Sequence, residues 1–274
     1  MIAISRDWGH ARPKQLCKDM VAMISYLERY LEFASLNYDN KRIWAELMSL
    51  GADIRQEPLY SDARAVARQA TMRARQNVET LIERLNTLEY RFLVPQEVWI
   101  PPDEASAAAL DALELQYGLL PLSLRMWYEV VGSVNFMGAH PTLSYFDSPD
   151  MSSSSSLPVY ADPLVMNPFE SNPLSFYLDL VYEYTGEEIT DPPYSLRLAP
   201  DAVHKANHSG GGPTQILFPN PAMDAPLISD DWDGIPFVSY LRTCFEWGGF
   251  PGWRTHPEYP KEELEFLTKD LLSL

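Results

Sequence analysis

The sequence predicts an α+β fold, an antiparallel sheet flanked by helices and preceded by a helical N-terminal segment. Three observations predict it. Apolar residues recur at spacings of three and four through the first ninety positions, the signature of one helical face. Short apolar and aromatic runs bounded by Gly, Pro, Asp and Ser follow position 130. Helices gathered at one end, then strands interrupted by helices, argue for α+β rather than a parallel α/β sheet.

The leading helices are taken first. Leu16, Met20, Met23, Ile24, Leu27 and Leu31 share one helical face. Ile43, Trp44, Leu47 and Leu50 predict a short second helix closed by Gly51. Val66, Ala70, Ala74, Val78, Leu81, Leu85 and Leu88 mark a longer third, from about Ser61 to Leu88, with Ser61 or Asp62 as its cap. Arg64, Arg68, Arg73, Arg75 and Arg84 decorate it, as a solvated face or as partners for acids elsewhere. Pro95 and Pro101-Pro102 punctuate the chain around Glu97-Val98-Trp99-Ile100. A boundary or hinge is expected there, between a helical segment 1–95 and an acidic α+β domain 103–274.

Asp103 is placed to cap a helix through Leu110, Leu113 and Tyr117 that Gly118 stops. Pro121 suits the first turn of the next, which carries Leu124, Trp127, Tyr128 and Val131 and ends at Gly132. Strands are expected at Val134–Phe136, Thr142–Phe146, Leu164–Met166, Ser195–Leu198 and Gln215–Phe218. Ser152–Ser156 reads as an exposed loop, and Leu174, Tyr177, Leu178, Val181 and Tyr184 as a further helix. Pro236 opens a helix through Phe237, Tyr240, Leu241 and Cys244, with Asp230, Asp231 and Asp233 upstream at its positive end. An aromatic Gly/Pro turn, Trp247–Trp253, precedes a last helix from Lys261 to Leu272.

The 274 residues are 46% hydrophobic and 22% charged, which is ordinary for a globular chain. No apolar run approaches the roughly 18 residues that span a bilayer, and no signal peptide is visible, so a cytoplasmic setting is expected. Cys17 and Cys244 are too few for a disulfide framework or a cysteine zinc site. The charge of −17 is unevenly placed. Residues 1–100 hold 14 Lys/Arg against 13 Asp/Glu; residues 101–274 hold 7 against 25, a net −18. Such a half repels phosphate backbones and excludes nucleic-acid binding through it. It attracts a basic partner, although acidic surfaces also serve solubility.

Two stretches carry a resemblance. One is Tyr117-Gly118-Leu119-Leu120-Pro121 with the helix through Trp127 to Gly132; the other is Phe237–Arg242 followed by Trp247-Gly248-Gly249-Phe250-Pro251-Gly252. In order, with an acidic middle, they resemble the SUKH superfamily, proteins related to a fungal cell-wall synthesis regulator that include many bacterial immunity proteins. The resemblance covers roughly residues 103–255. It implies an antiparallel sheet flanked by helices and a role in binding another protein, often a toxin domain. The matched residues, Gly118, Pro121, Trp127, Gly132, Trp247, Gly248, Gly249 and Pro251, are structural, so it implies no catalytic residue and no cofactor. The first hundred residues and the long Pro/Ser-rich middle depart from the family pattern.

The chemistry-bearing patterns point the same way. His204 and His208 are four apart, but Lys205-Ala206-Asn207 between them lacks the Glu of a zinc helix, and glycines follow; turn histidines are expected. Asp231-Trp232-Asp233-Gly234 would need acids at Ser229 and Tyr240 to be a calcium loop, so helix capping is the expected role. Asn207-His208-Ser209-Gly210-Gly211 lacks the leading Gly of a nucleophile elbow, and Pro213 spoils Gly210–Gly212 as a phosphate loop. Trp247, Phe250 and Trp253 suit either a core turn or an exposed anchor, with core expected. The expected function is a non-catalytic protein-binding module, an immunity-type protein that masks a basic toxin or partner, with no metal or cofactor. Its candidate acidic surface is Asp147, Asp150, Glu183, Glu187, Glu188, Asp230 and Asp231. Two alternatives stand beside it. One is a hydrolase or metal-dependent enzyme using His204 or His208 with a nearby carboxylate; the other is a scaffold that self-associates through its leading helices.

Overall fold

The computed structural model describes residues 25–35, 40–144, 160–168, 183, 186 and 192–274. Eight helices are seen among them: α1 (Tyr26–Ser35), α2 (Lys41–Met48), α3 (Leu59–Thr87), α4 (Ser106–Tyr117), α5 (Leu122–Val130), α6 (Ala202–Lys205), α7 (Phe237–Glu246) and α8 (Lys261–Thr268). Eight short strands accompany them: β1 (Arg91–Phe92), β2 (Trp99–Ile100), β3 (Ser133–Asn135), β4 (Gly138–Ala139), β5 (Val165–Met166), β6 (Tyr194–Ala199), β7 (Thr214–Phe218) and β8 (Leu227–Ile228). The fold is α+β, with antiparallel pairing throughout these strands. No helix among the described residues is long and apolar enough to cross a membrane.

The strands form three small sheets, β1-β4, β2-β3-β5 and β6-β7-β8. The amide of Asn167 donates to the carbonyl of Leu198 at 2.7 Å and ties the end of β5 to β6. In β6-β7-β8 one face is buried, with Leu196, Leu198, Ile216, Phe218 and Leu227 in the core. Ser195, Gln215, Leu217 and Ile228 alternate with them on the other face.

Helix α3 is the spine. Its predicted stripe, Val66, Ala70, Ala74, Val78, Leu81 and Leu85, is buried as one face. The alanines let α5 lie close along it. Helix α5 is buried nearly all round, from Leu122 to Tyr128, as an apolar helix between two layers should be. A single apolar core runs from Tyr30 and Trp44 through α3 to Phe237, Leu267 and Leu274.

Several local expectations are corrected. Helix α3 starts at Leu59, and Asp62 does not cap it. Its carboxylate instead accepts the Tyr26 and Leu27 amides, at 2.5 and 3.1 Å, and so holds the start of α1. Residues 141–143 form a turn where a strand was expected, with only a His140–Ser144 bridge. Trp99-Ile100 is a strand paired with Val134 and Ser133. Gly132 follows α5 at φ +85°, and a Cβ there would lie 2.2 Å from the Ile100 carbonyl, so β2 requires glycine. Asp103 does accept the Ala105 and Ser106 amides ahead of α4. The Ser152–Ser156 loop, the helix expected from Leu174, Cys17 and the first part of the leading helix lie outside the described residues.

The two family-like stretches meet. Trp127 packs edge-on against Phe237, with centroids 5.9 Å apart. Pro121 and Pro236 are the residues before α5 and α7. Gly118 ends α4, and Gly248-Gly249 follow α7 as far as the 3-10 turn Pro251–Thr255. Phe250 is fully buried, while Trp247 and Trp253 are half-buried against Tyr259 and the Leu143 carbonyl. The aromatic turn is therefore part of the core.

Candidate partner-binding site

The turn from Ser229 to Gly234 leaves β8 at one end of the β6-β7-β8 sheet. Its base is closed by backbone bonds from Gly234 to the Leu227 carbonyl at 3.0 Å and from Leu227 to the Ile235 carbonyl at 2.9 Å. Trp232 anchors it. That ring is 5% exposed, stacks edge-on with Tyr240 at 4.8 Å and donates its indole N–H to Asp162 at 2.9 Å. The Arg254 guanidinium covers the ring at 3.8 Å. With Trp232 turned inward, Asp230, Asp231 and Asp233 are left exposed. They do not cap α7, as the sequence suggested. The buried Asp224 takes that place, accepting from the Val238 amide at 3.0 Å and from the Ser123 hydroxyl at 2.7 Å, and so joins the starts of α7 and α5.

Beneath the turn lies a buried ion pair. Lys205 Nζ meets Asp162 Oδ1 at 2.5 Å, with the side chains 1% and 4% exposed. Asp201 caps α6 by accepting the Val203 and His204 amides at 2.9 and 3.1 Å, and its second oxygen meets His204 Nδ1. The Gly212 amide reaches Asp230 at 3.4 Å across from α6. Partial burial raises the Asp231 carboxyl above the usual carboxylate range, and the charge of Asp162 adds to it.

Five of the seven cations of this half are buried or half-buried. Arg125 is held by Asp111 at 2.6 Å, Glu129 at 2.8 Å and Glu114, with its side chain 10% exposed. Lys205 is sealed against Asp162. Arg242 donates to the Leu274 carbonyl and lies over Trp44, and Arg254 is spent on Trp232 and the Pro251 carbonyl. Arg197 is half-buried. Of the seven Lys/Arg in residues 101–274, only Lys261 and Lys269 are exposed.

Of the candidate acidic surface, Glu183, Asp230 and Asp231 are exposed, and none of the three forms an ion pair among the described residues. Asp147, Asp150, Glu187 and Glu188 lie outside the described residues. His204 sits on the helical turn α6, against Asp201, where an irregular turn was expected; the His208 ring instead faces Tyr160 at 6.1 Å. The two rings thus engage different partners. Among the described residues no three His, Cys, Asp or Glu side chains gather as a metal site. Cys244 is buried, and burial pushes its thiol well above the ordinary range, which suits packing and not nucleophilic attack.

Sequence reasoning missed Asp162, Lys205, Asp201 and Asp224. Lys205 carried a signal, being the only lysine between residues 42 and 260. Asp201 stands before Ala202-Val203-His204 as an N-cap does. Compared with family models, curated proteins and solved structures, the chain matches none.

Proposed function

We propose that the chain is a non-catalytic protein-binding module that masks a basic partner through the acidic turn at Asp230, Asp231 and Asp233. The observation that carries this reading is the disposition of the minority charge. Five of the seven cations in residues 101–274 are buried or half-buried, while Asp230, Asp231 and Asp233 are exposed, so the surface of this turn is acidic. Exposed like charges beside a rigidly anchored turn speed encounter with a cationic surface. The SUKH-like stretches, which fold against each other, support an immunity-type role with a toxin domain as the partner.

The test separates place from net charge. Reversing Asp230, Asp231 and Asp233 to lysine changes the charge as much as reversing Glu262, Glu263 and Glu265 on α8. Binding of a fluorescent ten-residue oligolysine is measured for both variants at low and at physiological salt. The first variant is expected to lose at least tenfold in affinity and most of the salt dependence, and the second far less. Equal losses would reduce the turn to bulk charge and overturn the reading.

A further inference from the structure

On the outer face of the β6-β7-β8 sheet one charge has no counterpart. Arg197 stands between Leu196 and Leu198, which are buried, so its side chain lies on the opposite face of β6. Gln215 is directly across from it on β7, and Ile228 is across from Gln215 on β8, so the three share one row. Arg197 is half-buried, its Nε is enclosed without an acceptor, and among the described residues it forms no ion pair. Gln215 does not serve it: its amide oxygen accepts the Ser195 hydroxyl, and its nitrogen is a donor. The other six cations of residues 101–274 are accounted for. Arg125 meets three carboxylates, Lys205 meets Asp162, and Lys261 lies 3.7 Å from Glu265. Arg242 and Arg254 donate to backbone carbonyls, and Lys269 is exposed to water. Acids are not scarce in this half, which holds 25. A donor withdrawn from water without an acceptor is a cost that the fold does not recover within itself.

We infer that the basic partner of the acidic turn also presents an Asp or Glu side chain, which Arg197 receives on the outer face of the sheet. This rests on the acidic-surface reading and adds the residue that selects among basic partners. The row adjoins the turn. Ile228, at its end, is 39% exposed and stands two residues before Asp230, whose carboxylate takes the Gly212 amide at 3.4 Å. A guanidinium can hold a carboxylate by two parallel bonds, so Arg197 fixes register where Asp230, Asp231 and Asp233 supply attraction. Charge decides the occupant. A free anion is repelled by the acids of this half and finds one cation; a carboxylate carried on a cationic segment is brought in by its neighbours. A second copy would bring a net charge of −17 to a chain of the same charge.

A ten-residue peptide of alternating lysine and serine tests it, with one glutamate walked through its positions and a glutamine twin for each. Affinities are read by fluorescence anisotropy at physiological salt. Bulk attraction favours the glutamine twin at every position, because it carries one more unit of positive charge. A seated carboxylate reverses that order, and glutamate is expected to bind roughly fivefold more tightly at one position or two neighbouring ones. Arg197→Gln should restore the glutamine preference there, and Arg197→Leu serves if that variant fails to fold. Glutamine ahead at every position, or a glutamate preference that survives the loss of Arg197, overturns the inference and leaves the acidic-surface reading standing. So does displacement of the preferred peptide by millimolar acetate, which would mark a free-anion site. A native dimer in sedimentation that Arg197→Gln dissolves would give the site to a second copy and overturn it too. Unchanged affinity of every peptide for a variant with Asp230→Asn, Asp231→Asn and Asp233→Asn overturns the acidic-surface reading itself.

Discussion

Helix α3 and the acidic half treat their cations in opposite ways. On α3, Arg64, Arg68 and Arg75 stay exposed, while Arg73 and Arg84 are half-buried. Arg75 pairs with Glu79 one turn away, at 3.0 Å, with both side chains over 40% exposed. Arg73 and Arg84 donate to the carbonyls of Ser273 and Leu267, and Arg64 meets Glu129 at 2.9 Å. In residues 101–274 only Lys261 and Lys269 are exposed, and Arg125 and Lys205 are buried. Arg125 serves three carboxylates at once, and their bonds and charges overcome the burial that would otherwise discourage its charge. Lys205 is enclosed with Asp162. A solvated pair contributes little because water screens it; a buried pair is held in place because neither ion survives alone there. Net charge therefore says less about a surface than the location of the minority sign does.

The largest expected effect breaks this contrast at its strongest point. Lys205→Met leaves Asp162 buried without its cation and is expected to cost about 3–5 kcal/mol of stability in denaturant unfolding. Arg75→Ala, its counterpart on α3, is expected to cost less than about 0.5 kcal/mol. Similar losses for the two would erase the distinction between the regions.

A smaller effect sharpens the comparison at Asp224. Burial pushes its carboxyl up to about 6, against the hydrogen bonds from Ser123, Val238 and Ala225 and the charge of Arg242. A carboxyl raised on folding binds its proton more tightly in the native state. Its contribution to stability is full below the unfolded value of 3.8 and is lost as the pH rises through about 6. Unfolding measured from pH 4 to 7 should show this decline in the native chain and a flatter profile in Asp224→Asn. Asp224→Ala leaves the Ser123 hydroxyl and two amides without an acceptor and should cost about 2 kcal/mol. A native profile with no decline would show that the acid is not strained by burial.

A further small effect concerns the pair between the two regions. Arg64→Ala removes one of the two cations on Glu129, but Arg125 remains at 2.8 Å. The expected loss is below about 1 kcal/mol, read as a shift in denaturation midpoint. A loss as large as that of Lys205→Met would mean that this contact, and not the shared apolar core, holds the leading helices in place.

Much of the fold was legible because its signals are local. The α3 stripe recurs every three or four residues over 29 positions, and Gly118, Pro121 and Gly132 punctuate their helices as expected. The two-residue strands β1, β2 and β8 were not, since two residues cannot show an alternation. Thr142–Phe146 looked like a strand because β-branched and aromatic residues cluster there, but its described part folds back as a turn closed by His140 and Ser144. In the candidate site, acidity around Asp230 and Asp231 was plain. Their role as helix caps was misassigned, because the sequence cannot show that Asp224, farther upstream, reaches the Val238 amide first.

By itself the sequence determined the helical periodicities, the split of charge at about residue 100 and the concentration of acids beside Trp232. These follow from neighbours along the chain, whose spacing is fixed by covalent geometry. Only the tertiary structure decided which charges are exposed. Asp162 meets a lysine 43 residues away, and Asp224 a serine 101 residues away. Whether a carboxylate is solvated or enclosed depends on which distant surfaces the core brings over it, and no local pattern encodes that.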